Sequence, residues 1–159
     1  MAGGVERFLE AAAGLGVDAD VRRFPSGTRT AADAARAVSC DIGQIVKSLV
    51  FVADGLAFLA LTSGPNRADA QAMAGILGAK EVRRASPDEA RVATGFAIGG
   101  TPPFGHPARL RVLVDRDLMA YEVVWAAAGA PDAVFAIGPR ELLETSGGEV
   151  VDLKERHGD

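Results

Sequence analysis

The chain has 159 residues, 48% of them apolar, and a formal net charge of −4 set by 17 Lys and Arg against 21 Asp and Glu. That length fits one compact domain with a sizeable core, and the mild acidity excludes the global electrostatic footprint of a nonspecific nucleic-acid binder, so any nucleic acid has to be met by local clusters. A single cysteine, Cys40, excludes an internal disulfide framework, and the apolar runs fall short of the roughly 20 residues that a bilayer span needs, so a cytoplasmic protein away from membranes is expected.

In chain order, Val5, Phe8, Leu9, Ala12 and Leu15 recur at helical spacing and predict an amphipathic helix from Val5 to Ala13, ended by Gly14 and Gly16. Val21 to Phe24 reads as a short strand. Thr30, with Asp33 three residues on, predicts the cap of an alanine-rich helix from Ala31 to Val38, and Asp41 the cap of a short helix through Val46. Ser48–Ala53 and Leu56–Thr62 are apolar runs joined by Asp54-Gly55, the strongest hairpin signal in the chain. Ala68 to Leu77 reads as a helix stopped by Gly78, and Ser86-Pro87-Asp88-Glu89 opens another.

Further on, Phe96–Ile98 is expected as a strand delivering the loop Gly99-Gly100-Thr101-Pro102-Pro103-Phe104-Gly105-His106. Leu110–Val114 reads as a strand and Asp117–Ala120 as a turn or short helix. Glu122–Ala128 and Ala133–Ile137 form a second hairpin, Pro139–Thr145 a helix before Gly147, and the residues past Leu153 a frayed end. Helices and strands are interleaved, yet both hairpins demand antiparallel pairs. The reading is a single α+β domain over residues 1–159, with a mixed, largely antiparallel sheet packed with helices rather than a doubly wound parallel one.

Two features carry chemistry. Lys47 is one of only three lysines and sits inside Ile45-Val46-Lys47-Ser48-Leu49-Val50-Phe51-Val52 at the expected helix-to-strand junction. An ammonium among β-branched side chains either snorkels to solvent or meets an anion, and a compact point charge suits a phosphate or carboxylate ligand. The second feature is the glycine-proline loop, which reads either as a rigid turn or as a preorganised donor set of the Gly99, Gly100 and Thr101 amides, able to stabilise the oxyanion of an ester or amide. Arg22, Arg23 and Arg29, then Arg83 and Arg84, then Arg109 and Arg111 form basic clusters that suit either solvent or a few phosphates. Histidine and cysteine spacing offers no metal site, and Gly-x-Ser-x-Gly, P-loop and dinucleotide patterns are all absent.

Gln44-Ile45-Val46-Lys47-Ser48-Leu49-Val50-Phe51 followed by Gly95-Phe96-Ala97-Ile98-Gly99-Gly100-Thr101-Pro102-Pro103-Phe104-Gly105-His106 resembles the YbaK/ProX family of aminoacyl-tRNA editing proteins, related to the editing domain inserted in bacterial prolyl-tRNA synthetases. Thr28-Arg29-Thr30-Ala31-Ala32-Asp33-Ala34-Ala35 and Trp125-Ala126-Ala127-Ala128-Gly129-Ala130-Pro131 extend the resemblance to almost the whole chain. It implies the curved sheet of that family and a cofactor-free, metal-free deacylase. Such an enzyme hydrolyses the ester between a small, wrongly attached amino acid and the terminal adenosine of a tRNA, here expected to be tRNA for proline.

Carried over residue by residue, Lys47 contacts the acceptor end, and Gly100 with Gly99 and Thr101 positions the scissile carbonyl. A ribose hydroxyl of the substrate helps activate water. Arg29, Thr30, Ser48, Ser63, Pro102, His106 and Gly129 make up the expected substrate-binding set, although Thr30 also reads as a helix cap, Ser63 as a strand-end polar residue and His106 as a loop histidine bonded to backbone. Ser48 stands where several members carry threonine, and Ala128-Gly129-Ala130-Pro131 departs from the Ser/Ala-Gly-Arg of cysteine-removing members, which leaves alanine, cysteine and serine open. The implied partners are the aminoacylated tRNA acceptor end and an aminoacyl-tRNA synthetase. The rival readings are a module that binds such an end or a synthetase without turnover, and a hydrolase of small aminoacyl esters that ignores the tRNA body.

Overall fold

The computed structural model describes residues 3–25 and 28–156. Its helices are α1 (Gly4–Gly14), α2 (Ala31–Val38), α3 (Ala70–Leu77), α4 (Pro87–Thr94) and α5 (Pro139–Ser146), and its strands are β1 (Val21–Arg23), β2 (Val46–Ala53), β3 (Leu56–Ser63), β4 (Val82–Arg84), β5 (Arg111–Asp115), β6 (Val124–Ala127), β7 (Ala133–Ile137) and β8 (Glu149–Val151). The α+β class is as expected. The strands divide between two sheets, however: a three-stranded antiparallel one in the order β1-β7-β6, and a five-stranded mixed one in the order β4-β2-β3-β5-β8.

Local chemistry fixes most helix ends. The Thr30 hydroxyl accepts the Asp33 amide at 3.0 Å, and Ser86 and Glu89 form a reciprocal capping box at the start of α4. Helix α3 starts two residues later than its apolar pattern because Asp69 takes the Gln71 and Ala72 amides, while Ala68 is drawn into a bridge with Lys154. Asp54 and Gly55, with φ of 46° and 86°, make the β2–β3 turn, which sets Val46 opposite Ser63 and Ala53 opposite Leu56.

Four expectations are corrected. Phe96–Ile98 is a turn, since Thr94 Oγ1 accepts the Phe96 amide and the Gly100 amide donates to Ala97, local bonds that compete with any ladder. The short helix after Asp41 is a 3-10 turn over Ile42–Gln44, so Lys47 lies inside β2 rather than at its junction. Strands β4 and β8 went unread because each is three residues long and carries charge. The residues just past Leu153 are tied down: Leu153 is fully buried, Glu155 donates its amide to Arg67, and Lys154 is ion-paired to Asp117.

Strands β2, β3 and β5 are nearly continuous apolar runs because both faces of their sheet are covered. One face packs Val50, Val52, Leu59, Leu61, Val112 and Val114 against α1, α4, α5 and the smaller sheet; the other packs Phe51, Phe58, Ala60 and Leu113 against Met73 of α3 and Leu153. Phe8 anchors α1 in the first layer, with ring centroids 4.6 Å from Phe135 and 5.3 Å from Phe104. Phe8→Ala is expected to lower unfolding stability by about 3–5 kcal/mol, because the fully buried ring leaves a cavity walled by two other rings. Chemical denaturation with a constant m-value would measure it.

Candidate active site

Strand β4 covers β2 only from Phe51 to Ala53, with the Ala85 amide donating to Val50 as the last contact. Beside the remaining half of β2 lies a cavity of about 570 Å³. Val46 to Val50 form one wall, Thr28 to Ala32 at the start of α2 another, and Trp125 to Ala127 of β6 with Ala133 and Val134 of β7 a third; Ile98, Gly99, Thr101 and Pro131 close it. Its lining is rich in alanine: Ala31, Ala32, Ala34, Ala85, Ala90, Ala126, Ala127 and Ala133. Its charges are Arg29, Lys47 and Arg84, and no aspartate, glutamate, histidine or cysteine lines it among the described residues.

Lys47 lies half-buried with its ammonium donating to the Asn66 carbonyl, and among the described residues no carboxylate comes within ion-pair distance of it. Burial lowers its pKa from the ordinary lysine value, with Arg84 and Arg67 adding to the effect and Asp115 opposing it. Burial also lowers the Arg84 pKa. Ser48, the next residue of β2, lines the cavity, although its hydroxyl oxygen is itself buried and without a hydrogen-bond partner among the described residues.

The glycine-proline loop is only partly what the sequence suggests. Gly99, at φ 83°, and Thr101 line the cavity, but the Gly100 amide is spent on Ala97 at 3.0 Å, so it is not a free donor. Gly100 is required for packing: a Cβ there would meet the Ala130 backbone at 2.8–3.0 Å.

Of the expected binding set, Arg29, Thr30 and Ser48 reach the cavity and four residues do not. Ser63 is a strand-end residue whose hydroxyl donates to the Gly43 carbonyl and whose amide donates to Asp115. Pro102 is buried in the loop, and its carbonyl bonds His106 Nε2 at 2.8 Å. His106 borders a separate shallow depression with Arg109 and Glu144, and burial lowers its pKa. Gly129 is a backbone contact: a Cβ would sit 2.3 Å from the Gly4 carbonyl oxygen.

Three contributors lie outside the expected site set. Arg84 belonged to a cluster left open between solvent and phosphates; its neighbour Arg83 is bound to Glu89, and Arg84 lines the cavity. Trp125 lines the cavity under the Arg22 guanidinium, 5.1 Å from the ring centroid. Asn66, just after Gly64-Pro65, accepts the Lys47 ammonium on its backbone carbonyl; nothing in its local pattern signals that. Of the basic clusters, Arg23, Arg83 and Arg111 are ion-paired with Asp132, Glu89 and Glu149, and only Arg29 and Arg84 face the cavity.

A family model for the aminoacyl-tRNA editing domain matches residues 25–145. The uncharacterized protein YwhH of Bacillus subtilis is 31% identical over 128 residues, covering 80% of this chain and 81% of that protein. The proline–tRNA ligase of Solidesulfovibrio magneticus is 32% identical over 108 residues, 67% of this chain but only 18% of the ligase. A crystal structure provisionally described as a trans-editing enzyme for prolyl tRNA synthetase superposes with a TM-score of 0.92 at 45% identity, covering 98% of this chain and 99% of that one. With its alanine-lined, cationic cavity inside the matched segment, this chain belongs to the aminoacyl-tRNA editing domain family.

Proposed function

We propose that the protein is a deacylase that acts in trans on tRNA carrying a wrongly attached small amino acid, with tRNA for proline as the expected carrier. The observation that carries this reading is the cavity itself: three cations and, among the described residues, no carboxylate in its lining, in a chain of net charge −4, with eight alanines around them. Cations without a carboxylate beside them suit the phosphates of a nucleic-acid end, and the small apolar lining suits a short side chain such as that of alanine, serine or cysteine. Family membership and the match to part of a proline–tRNA ligase support the editing role and the choice of tRNA.

In the mechanism, Lys47, Arg29 and Arg84 hold the acceptor end, and the turn at Gly99 and Thr101 sets the scissile ester. The lining contains no imidazole, thiol or carboxylate among the described residues, so proton transfer from the attacking water falls to the substrate's own ribose hydroxyl. An aminoacyl ester is labile enough for orientation and charge stabilisation to carry the rate.

The test is a deacylation panel with tRNA for proline charged with alanine, cysteine, serine and proline, run at several salt concentrations. Release of a small amino acid, with proline spared and KM rising with salt, supports the reading. Tight binding of charged tRNA with no release of amino acid means a recognition module instead. Equal turnover of small aminoacyl esters lacking the tRNA body means that the nucleic acid is not the substrate.

A further inference from the structure

Lys47 is not held by a carboxylate but by a backbone carbonyl, and that carbonyl is itself clamped. The Asn66 amide donates to Ser63, and both hydrogens of the Asn66 side-chain amide are used, one on Asp115 Oδ2 and one on Asp117 Oδ2, each at 2.8 Å. Asp115, only 1% exposed, also accepts the Ser63 amide at 3.0 Å on Oδ2 and the Asp117 amide at 3.0 Å on Oδ1. Asp117 in turn accepts Lys154 Nζ at 2.8 Å. The segment 66–69 is stitched to the C-terminal segment by two further backbone bonds of 2.7 Å, Asp69 to Leu153 and Glu155 to Arg67.

We propose that Asn66 is the positioning residue for Lys47, and that Asp115 and Asp117, braced by Lys154, form the clamp that sets it. The proposal rests on the reading of Lys47 as the cation that binds substrate. A lysine side chain is flexible and loses rotamer entropy when fixed. A carbonyl locked by two carboxylates fixes the ammonium before substrate arrives, while leaving it without a neutralising partner, so its charge stays available to the ligand. Arg84 of β4 and Arg67 beside Asn66 disfavour the charged form of Lys47, and the buried Asp115 at the end of β5 is the group that opposes them. The clamp therefore fixes both the place and the protonation of Lys47. It gives Asp115, a fully buried carboxylate that does not itself line the cavity, a role beyond the turn it caps.

The chain has three lysines, Lys47, Lys80 and Lys154, so protein labelled with 13C at lysine Cε gives three signals, with Lys47 assigned by its loss in Lys47→Arg. In ligand-free Asp115→Asn the Lys47 titration midpoint is expected to fall, while that of Lys80 stays in place. In Asn66→Ala, which leaves the Asp115 bonds to the Ser63 and Asp117 amides intact, deacylation kcat/KM is expected to fall about tenfold to a hundredfold, chiefly through KM. An unchanged Lys47 midpoint in folded Asp115→Asn, or an unchanged KM in Asn66→Ala, overturns the proposal. Should Asp115→Asn fail to fold, Asn66→Ala decides alone. Activity that survives Lys47→Ala overturns the substrate-binding role of Lys47 instead, and the ligand-free titration still decides whether the clamp governs that lysine.

Discussion

Lys47→Ala is expected to lower kcat/KM for deacylation by on the order of a hundredfold or more with little change in melting temperature. The ammonium is half-buried and donates to one carbonyl, so its removal leaves no buried carboxylate unpaired; what is lost is a charge-assisted contact to substrate, worth about 1.5–3 kcal/mol and more where water is excluded. Arginine should rescue poorly, because its planar fork differs from an ammonium in shape and reach and bonds in a different direction. Near-wild-type turnover in Lys47→Ala would remove Lys47 from the mechanism. A pH profile adds a second readout. Burial lowers the Lys47 pKa, so the protonated, binding-competent form is lost as pH rises through a value below the ordinary lysine one, and KM should climb there.

The second large effect belongs to the loop. Gly100→Ala should cost roughly a hundredfold in single-turnover deacylation, since the added Cβ would lie 2.8–3.0 Å from the Ala130 backbone and no flexible side chain is there to yield. Either the Gly99–Thr101 turn or the Ala130-Pro131 segment must move, and displacing a positioned group by about 1 Å is enough for a loss of that size. His106→Ala touches the same loop but not the cavity, and its rate should stay within a few-fold of wild type, a small change expected away from the reacting atoms. The reverse order, a dead His106 variant beside an active Gly100 variant, would mean that an imidazole does the proton transfer.

What the sequence made legible follows from the range of the interactions involved. The caps of α2 and α4 and the Asp54-Gly55 turn are settled within four residues, and these were read correctly down to the side chain, as Thr30 and Ser86 show, whereas the Asp69 cap of α3 was not read. The lysine among β-branched neighbours likewise advertises itself locally. The clamp does not. Asn66, the Asp115–Asp117 turn and Lys154 come from three places along the chain and meet only because β3 and β5 lie side by side in parallel, with β8 beyond them. Nor does the division into two sheets announce itself, since β1 reaches β7 across more than a hundred residues. The loop was legible in part: Gly-Gly was taken as a demand for close approach, and at Gly100 the approaching group is the protein's own Ala130 backbone, a contact from a distant segment.

That contact is one of a series. A Cβ on Gly4 would lie 2.0 Å from the Gly129 carbonyl oxygen, Ala130 follows Gly129 in the chain, and Ala130 lies against Gly100. The start of α1, the turn between β6 and β7, and the loop at the cavity are thus stacked main chain on main chain, with no side chain between them to absorb a shift. Side chains accommodate displacement by changing rotamer, whereas backbone in contact with backbone passes it on. An insertion or fusion that pulls on the first turn of α1 therefore acts like a lever whose far end is the cavity wall, more than ninety residues away in sequence, and the register of that helix tunes the width of the space in which the ester must lie.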